Sequence, residues 1–393
     1  YAPYPTACRD RMHYPKGFAP GWTDAGVICP WTIWQVYGDT HLIERHWKSL
    51  TRFMDWRNAS TTSTGLGANI GNIYGDWLNQ NDPTPLEYID TCYHAWDCKL
   101  MAEMAEAIGR PLEAAKYRQR LARIRSAFAT AYHKGDGWLT VDSQTAYVLA
   151  LWSGLMPDDT EAGAARHLAE RINANGIRMS TGFLGTRALL PVLSAHGYHD
   201  LAVHLFQSRR FPSWGYEVAN GANSVWERWD SYTTEHGFFG QSGKQSVVMN
   251  SFSHYALGAV MEWAFQSLAG IDTEGPGFQR VLIQPRPPKS STAAANEEAP
   301  IHWVKACYDS IHGPIATEWH RNGRMYTLAV TLPTNTSGSI WLPAASADDV
   351  TESGQPLKRV PGLEVVDQKD GGLMLRVKSG TYSFALQLPD DYK

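Results

Sequence analysis

Apolar residues recur every three or four positions over the first two thirds of the chain and at alternate positions over the last third. The first regime predicts helices from Thr23 to Val36 and from His41 to Trp56. Between them, Gly38 can stop the first helix, and Asp39 or Thr40 can cap the second. The pattern returns over Cys92–Ile108 and Leu112–Tyr132, around a Gly109-Arg-Pro stop, then over Ser143–Leu155 with Glu161–Ile172. Gly185–Leu193 and His199–Phe206 form a further pair, and a last helix is expected from Asn250 to Leu268. That is about nine helices, mostly in hairpins. Such pairs build either an open solenoid or a closed ring of six hairpins. No fixed repeat period is visible, which favours the ring. The shortfall against a full ring points to helices missing on the N-terminal side.

After Ala269 the period shortens to two. Arg280–Pro285, His302–Cys307, Ile315–His320, Met325–Leu332, Ser339–Leu342, Leu373–Val377 and Tyr382–Leu386 read as strands. Asn322-Gly, Asp370-Gly-Gly and Ser379-Gly mark turns between them. The expected fold is mainly α with a β domain. A helical domain over 1–273, incomplete at its N-terminus, precedes a C-terminal antiparallel β-sandwich over 274–393.

Composition adds three constraints. Lys and Arg total 35 against 39 Asp and Glu, a net charge of -4 that gives no electrostatic footprint for nucleic acid or anionic membrane. No apolar run is long enough to span a bilayer. The 16 tryptophans either build a large aromatic core or supply flat platforms for an amphipathic ligand such as a sugar ring. The five cysteines are scattered; Cys92 and Cys98 read as buried helical thiols, and neither a disulfide framework nor a zinc spacing emerges. The compartment, cytoplasmic or periplasmic, stays open.

Loops as long as Asn58–Glu87 and Gln207–Ser251 are usually functional in a compact domain. Glycoside hydrolysis needs two carboxyl groups across the scissile bond, so acids beside aromatic residues in these loops are the candidates. Ser213-Trp-Gly-Tyr and Trp226-Glu-Arg-Trp-Asp form the densest cluster. Glu227 is there a general base or nucleophile, with Trp214 and Trp226 against substrate. Alternatively Glu227 and Arg228 form a surface ion pair over a tryptophan core, and both readings stand. In Gly75-Asp-Trp-Leu, Asp76 either binds sugar hydroxyls beside Trp77 or caps a helix. In Gly21-Trp-Thr-Asp, Asp24 either binds substrate beside Trp22 or caps the helix that follows. His254, in Asn250-Ser-Phe-Ser-His-Tyr, is a candidate ligand contact at a helix start. No metal-ligand spacing, P-loop, Rossmann fingerprint or Gly-x-Ser-x-Gly elbow is present, so no cofactor or metal is expected.

Taken in order, these segments resemble the bacterial α-L-rhamnosidases of glycoside hydrolase family 78. The matching runs are Gly21-Trp-Thr-Asp-Ala-Gly-Val-Ile-Cys-Pro-Trp, Gly75-Asp-Trp-Leu, Thr181-Gly-Phe-Leu-Gly-Thr, Pro212-Ser-Trp-Gly-Tyr, Gly221-Ala-Asn-Ser-Val-Trp-Glu-Arg-Trp-Asp-Ser and Met249-Asn-Ser-Phe-Ser-His-Tyr-Ala. Ala269 to Pro285 and Val330-Thr-Leu-Pro-Thr-Asn-Thr extend the match into the β region. The resemblance implies an (α/α)6 barrel followed by a β-sandwich, and an inverting hydrolysis that releases L-rhamnose from glycosides or oligosaccharides. It gives Glu227 the role of general base, Trp22 and Trp77 a place in the sugar pocket, and His254 a contact to sugar hydroxyls. One departure stands out. The family's general acid lies in an Asp…Arg-Glu-Arg-x-Gly-Trp-x-Gly-Asp motif upstream of the Gly-Trp-Thr-Asp segment. Cys8-Arg-Asp-Arg-Met resembles it only faintly, and Asp10 is a poor substitute. The acid is therefore expected upstream of this chain. Two rival readings remain: a non-catalytic sugar-binding protein, and another α/α-barrel glycosidase pairing Glu227 with a carboxylate such as Asp76. A homodimer is the candidate assembly.

Overall fold

The computed structural model describes residues 18–68, 74–239, 250–289, 300–369 and 371–389. The Cys8–Met12 run, Asp10 and Met249 fall outside them. The chain divides into two compact units, one formed by Tyr1–Thr32 and Thr40–Gly258, the other by Ile33–Asp39 and Ala259–Lys393.

The first unit is helical. Its elements are α1 (Ala25–Tyr37), α2 (His41–Ala59), α3 (Leu86–Ala107), α4 (Pro111–Tyr132), α5 (Gln144–Trp152), α6 (Glu161–Ala174), α7 (Phe183–Ala195), α8 (His199–Gln207), α9 (Trp214–Ala219) and α10 (Tyr255–Gly258). Two burial patterns alternate along it. In α4 the buried residues Ala114, Tyr117, Ile124 and Phe128 form one stripe, as on a helix with a wet face. In α3, α5 and α7 burial runs round the whole helix; in α5 every residue from Gln144 to Leu151 is buried. The fully buried helices pack in series, α3 on α5 and α5 on α7, while α4, α6 and α8 each cover one of them. This is an inner and an outer layer of helical hairpins. Each inner helix is buried all round because it has neighbours on every side.

The pairs expected from periodicity are present, with differences at three ends. Gly38 takes φ +71° and stops α1. Thr40, however, makes no side-chain cap on α2; its hydroxyl donates to Glu44 at 2.9 Å. α3 begins at Leu86, six residues before the expected Cys92, since Tyr88 and Ile89 are fully buried. The single helix expected from Asn250 to Leu268 is broken. Only Tyr255–Gly258 and α11 (Val260–Trp263) are α-helical, and 264–268 widens into a π turn closed by Ala269 N–H on Ala264 O. α9 and a small hairpin, β1 (Tyr232–Thr233) with β2 (Gly237–Phe238), lie in the stretch expected to be loop.

The second unit is built on β3 (Ile271–Thr273), β4 (Arg280–Ile283), β5 (Trp303–Ser310), β6 (Gly313–Asn322), β7 (Met325–Leu342), β8 (Val350–Glu352), β9 (Gln355–Pro356), β10 (Glu364–Lys369) and β11 (Gly372–Gln387). Two pairs of expected strands are each one long strand. Met325–Leu332 and Ser339–Leu342 are the ends of β7, and Leu373–Val377 and Tyr382–Leu386 are the ends of β11. Ser379-Gly, expected to be a turn, is instead a register shift within β11 between Lys378 and Gly380. One half of β7 pairs with β6, the other with β4, and β11 follows β7 along both halves. The β4–β7 pairing is parallel, whereas an antiparallel sandwich was expected. Alternate residues of these strands, among them Ile315, Trp319, Tyr326, Leu328, Val330, Ile340, Leu375 and Phe384, meet in one core. Trp319 is fully buried there and its indole N–H donates to Leu268 O at 2.7 Å.

Trp319→Ala should therefore cost about 3–5 kcal/mol, the usual range for deleting a buried aromatic side chain. Urea unfolding followed by tryptophan-independent circular dichroism measures it. A loss below about 1 kcal/mol would contradict the central place given to this residue.

Candidate active site

The long loop before α3 is fixed by two acids. Asp76 is buried and accepts four hydrogen bonds: Thr145 Oγ1 at 2.5 Å and Gly182 N–H at 2.7 Å on Oδ2, Leu184 N–H at 2.9 Å and Gly185 N–H at 3.2 Å on Oδ1. The last three are N–H groups at the start of α7, which has no other side-chain cap. Asp76 does cap a helix, but one that starts over a hundred residues downstream. Burial raises its pKa, and the four donors oppose that rise. A few residues on, Asp82 accepts Gln144 N–H at 2.9 Å, Ser180 Oγ at 2.7 Å and Arg171 at 2.7 Å. The loop is thus tied to the N-terminal ends of α5 and α7. Gly182 has to be glycine here: a Cβ would stand 2.3 Å from Trp77 O and 2.5 Å from Asp76 O.

Asp24 is equally committed. It is completely buried, accepts Gly21 N–H at 2.6 Å and pairs with Arg57 at 2.9 Å. Arg57 also meets Asp90 at 3.3 Å and Asp97 at 3.9 Å, and its guanidinium stacks on Phe18 at 4.8 Å. Three carboxyls share one arginine. Burial and the neighbouring Asp24 charge push Asp97 far above the carboxylate range, and burial raises Asp90 to about 6. Asp24 and Asp76 were expected at sugar hydroxyls. The Asp76 oxygens are taken by protein donors, and Asp24 is buried against Gly21 N–H and the Arg57 guanidinium, so each holds a tryptophan-bearing loop instead.

Those loops carry Trp22 and Trp77, both half-buried on either side of Tyr74, with ring centroids 5.1 Å and 6.0 Å from it. Trp214 begins α9. Its indole N–H donates to Leu257 O at 2.9 Å and its ring meets Trp229 edge-on at 5.2 Å. Trp226 was expected against substrate, but it is 5% exposed and packs on Phe252 at 5.5 Å, within the core.

Glu227 is in a different position. It lines a cleft of about 180 Å³ together with Leu78, Asn79, Gln80, Phe183, Arg228 and Asp230. That is room for about six waters at ~30 Å³ each. Its backbone N–H donates to Ser251 O at 2.8 Å, and its Oε2 accepts Ser251 N–H at 2.9 Å. Among the described residues this leaves the second carboxylate oxygen for a water or ligand. Arg228 does not form the expected surface pair; its guanidinium lies over the Phe239 ring at 4.4 Å. Asp230 is the other carboxyl lining the cleft among the described residues, its pKa raised by burial. His254 is held by its N–H on Val225 O at 2.8 Å, and its ring packs 4.9 Å from Phe183.

The structure thus brings Glu227 and the residues that follow Trp77 to one cleft, while His254 packs on Phe183, one of the lining residues. Sequence reading missed Leu78, Asn79, Gln80 and Phe183. Leu78 and Asn81 take positive φ, 61° and 57°, a strain legible only in the backbone. Sequence reading also missed a second buried acid. Glu217 on α9 is 3% exposed, and burial raises its pKa to about 8 against the Trp226 N–H that faces it.

Two outcomes follow. Asp76→Ala orphans several buried donors and should cost roughly 3–5 kcal/mol in chemical unfolding; a change within 1 kcal/mol would show the cap to be dispensable. The folded chain keeps the Glu217 proton up to about pH 8, whereas the unfolded chain releases it in the ordinary carboxyl range. Stability therefore falls as pH rises from that range towards 8. Glu217→Gln should flatten the fall in melting temperature between pH 5 and pH 8, and an unchanged slope would place the proton elsewhere.

Comparison with known proteins gives the geometry a family. Residues 2–268 match the model of the bacterial alpha-L-rhamnosidase 6 hairpin glycosidase domain, and residues 270–356 match that of the bacterial alpha-L-rhamnosidase C-terminal domain. An alpha-L-rhamnosidase of Streptomyces avermitilis is 38% identical over 366 residues, 93% of this chain and 33% of the relative. One from Formosa agariphila is 29% identical over 388 residues, 97% of this chain and 40% of the relative. The crystal structure of the Streptomyces avermitilis alpha-L-rhamnosidase complexed with L-rhamnose superimposes with a TM-score of 0.83 at 37% identity, covering 94% of this chain and 33% of that one. The chain spans about a third of the length of the first of these relatives. With a family model matching well over half of its residues, the chain belongs to the bacterial α-L-rhamnosidase family, as its six-hairpin glycosidase domain followed by its C-terminal domain.

Proposed function

We propose that the protein to which this chain belongs hydrolyses terminal α-L-rhamnosides of glycosides or oligosaccharides with inversion, and that Glu227 is the general base. The observation that carries the reading is the state of Glu227: a buried carboxylate at a sugar-sized cleft, one oxygen fixed by Ser251 N–H and the other left for water. A base must be held within hydrogen-bond reach of the water it activates. Ser251 holds Glu227 through both its backbone and its side chain, so the carboxylate cannot turn away. The apolar rings of Phe183 and Trp229 line the same cleft. They suit a deoxy sugar, whose C6 methyl group gains by leaving water.

His254, Trp22 and Trp77 are assigned to positioning the sugar, and Asp24 and Asp76 to holding the two tryptophans. Pairing Glu227 with Asp76 as the acid is disfavoured, because four donors occupy the Asp76 oxygens. The reading places the proton donor to the leaving oxygen outside the described residues. Relatives named alpha-L-rhamnosidases, and the cleft geometry together, favour an enzyme over a non-catalytic sugar-binding protein.

In the whole protein, Glu227→Gln should lower turnover of an aryl α-L-rhamnoside by about 10²–10⁴-fold with the melting temperature retained. Proton NMR of the first product should show the β anomer of rhamnose. Activity within a few-fold of the parent would remove Glu227 from the base role, and a first-formed α anomer would exclude inversion.

A further inference from the structure

The β unit has an outward face that its core does not use. Strand β5 lies at the sheet edge and alternates: Val304, Ala306 and Tyr308 pack on the core, while Trp303, Lys305, Cys307 and Asp309 face solvent. Residues directly opposed across antiparallel strands share a face, so the outward face can be followed strand by strand. One row runs Trp303–His320–Thr327–Ala385–Thr351, and the row beside it runs Lys305–Glu318–Ala329–Ser383. Crossing five strands at ~4.8 Å each, the first row is roughly 19 Å long.

Its chemistry is uneven. At one end Trp303 is 60% exposed, its ring nearly parallel to His320 at 19° and 6.2 Å. Beside it Glu318 bridges two side chains, the Lys305 ammonium at 2.7 Å and the His320 ring at 3.0 Å. The lysine and histidine bonds pull the Glu318 pKa below the carboxylate range, which keeps an acceptor in place next to the ring. Beyond these come small residues, Thr327, Ala329, Ser383 and Thr351, three of which carry hydroxyl groups, that of Thr351 donating to Ala385 O at 3.3 Å.

We propose that this face is a second carbohydrate-binding surface, separate from the Glu227 cleft, which takes a neutral oligosaccharide chain with one sugar ring stacked on Trp303. An exposed indole offers the apolar platform that the C–H face of a sugar requires. The Glu318 bridge and the threonine and serine hydroxyls offer acceptors and donors in a line. Other occupants fit less well. The centre of a protein interface is depleted of charge and small polar residues, the opposite of this face. A nucleic acid requires unbalanced positive charge, and here Glu318 offsets Lys305.

The test uses the whole protein and larch arabinogalactan, a soluble and essentially neutral polysaccharide with no terminal rhamnose for the Glu227 cleft to release, as the probe in affinity electrophoresis. The parent should be retarded, and saturating free L-rhamnose should leave most of the retardation in place. Trp303→Ala should weaken retention about tenfold or more, and Trp303→Phe should keep most of it. In the otherwise wild-type protein, Trp303→Ala should keep kcat/KM on a small aryl α-L-rhamnoside within twofold. No retardation of the parent, retention unchanged by Trp303→Ala, or retention abolished by free L-rhamnose would each overturn the proposal. So would a lowered melting temperature in Trp303→Ala, which would make the ring part of an interface with another segment of the protein. None of these outcomes depends on the role of Glu227, so the two readings fail separately.

Discussion

The cleft exists because a buried carboxylate, Asp76, sits on the first turn of α7. A helix start presents N–H groups that the helix cannot satisfy, and burying them without a partner is costly. Asp76 satisfies three of them at once and adds the Thr145 hydroxyl. The loop can lie that close only because Gly182 carries no side chain. From this one contact follow the placement of Trp77, the left-handed turn at Leu78, and the exposure of Asn79 and Gln80 to the cleft. Asp82 repeats the device one turn later at the start of α5. An irregular loop is thereby held as firmly as a strand would be.

The helical unit uses its buried acids in two ways. Asp24 and Asp76 are surrounded by donors and act as internal struts. Asp97, Asp90 and Glu217 have too few partners for their burial, so protonation relieves the desolvation. Glu227 belongs to neither group. It has one firm donor, Ser251, and an opening on its other side. That intermediate state distinguishes Glu227 from the carboxylates whose contacts lie wholly within the protein. In all six cases the residue is an acid with an aromatic residue within two positions in sequence.

That similarity is why the site was only partly legible. Hairpin order, the switch from helical to alternating period at Ala269, and the Trp-Glu-Arg-Trp-Asp loop could all be read from spacing. Inner and outer helices were not separable in advance, although the all-round apolar character of Gln144–Trp152 carried the signal. Asp24 and Asp76 read as ligand contacts because they adjoin tryptophans, and only distance revealed that both are held within the protein. Trp226 and Trp229 are three residues apart in one motif and both buried, yet only Trp229 borders the cleft while Trp226 packs on Phe252. Such sorting depends on contacts such as Glu227 with Ser251, 24 residues away, and no local pattern encodes it. The bend inside β11 escaped for a related reason: Ser379-Gly is turn chemistry, and the strand used it to change register rather than direction.

β7 and β11 each run through both halves of the β unit and stay hydrogen-bonded to one another along nearly their whole length. Neither half can fray without breaking bonds that the other half shares. In amide hydrogen exchange the two halves should therefore open together, as a single foldon, with protection set by global rather than local unfolding. A nick near Gly380 would then do more harm than its exposed position suggests, because it would cut a strand that both halves share.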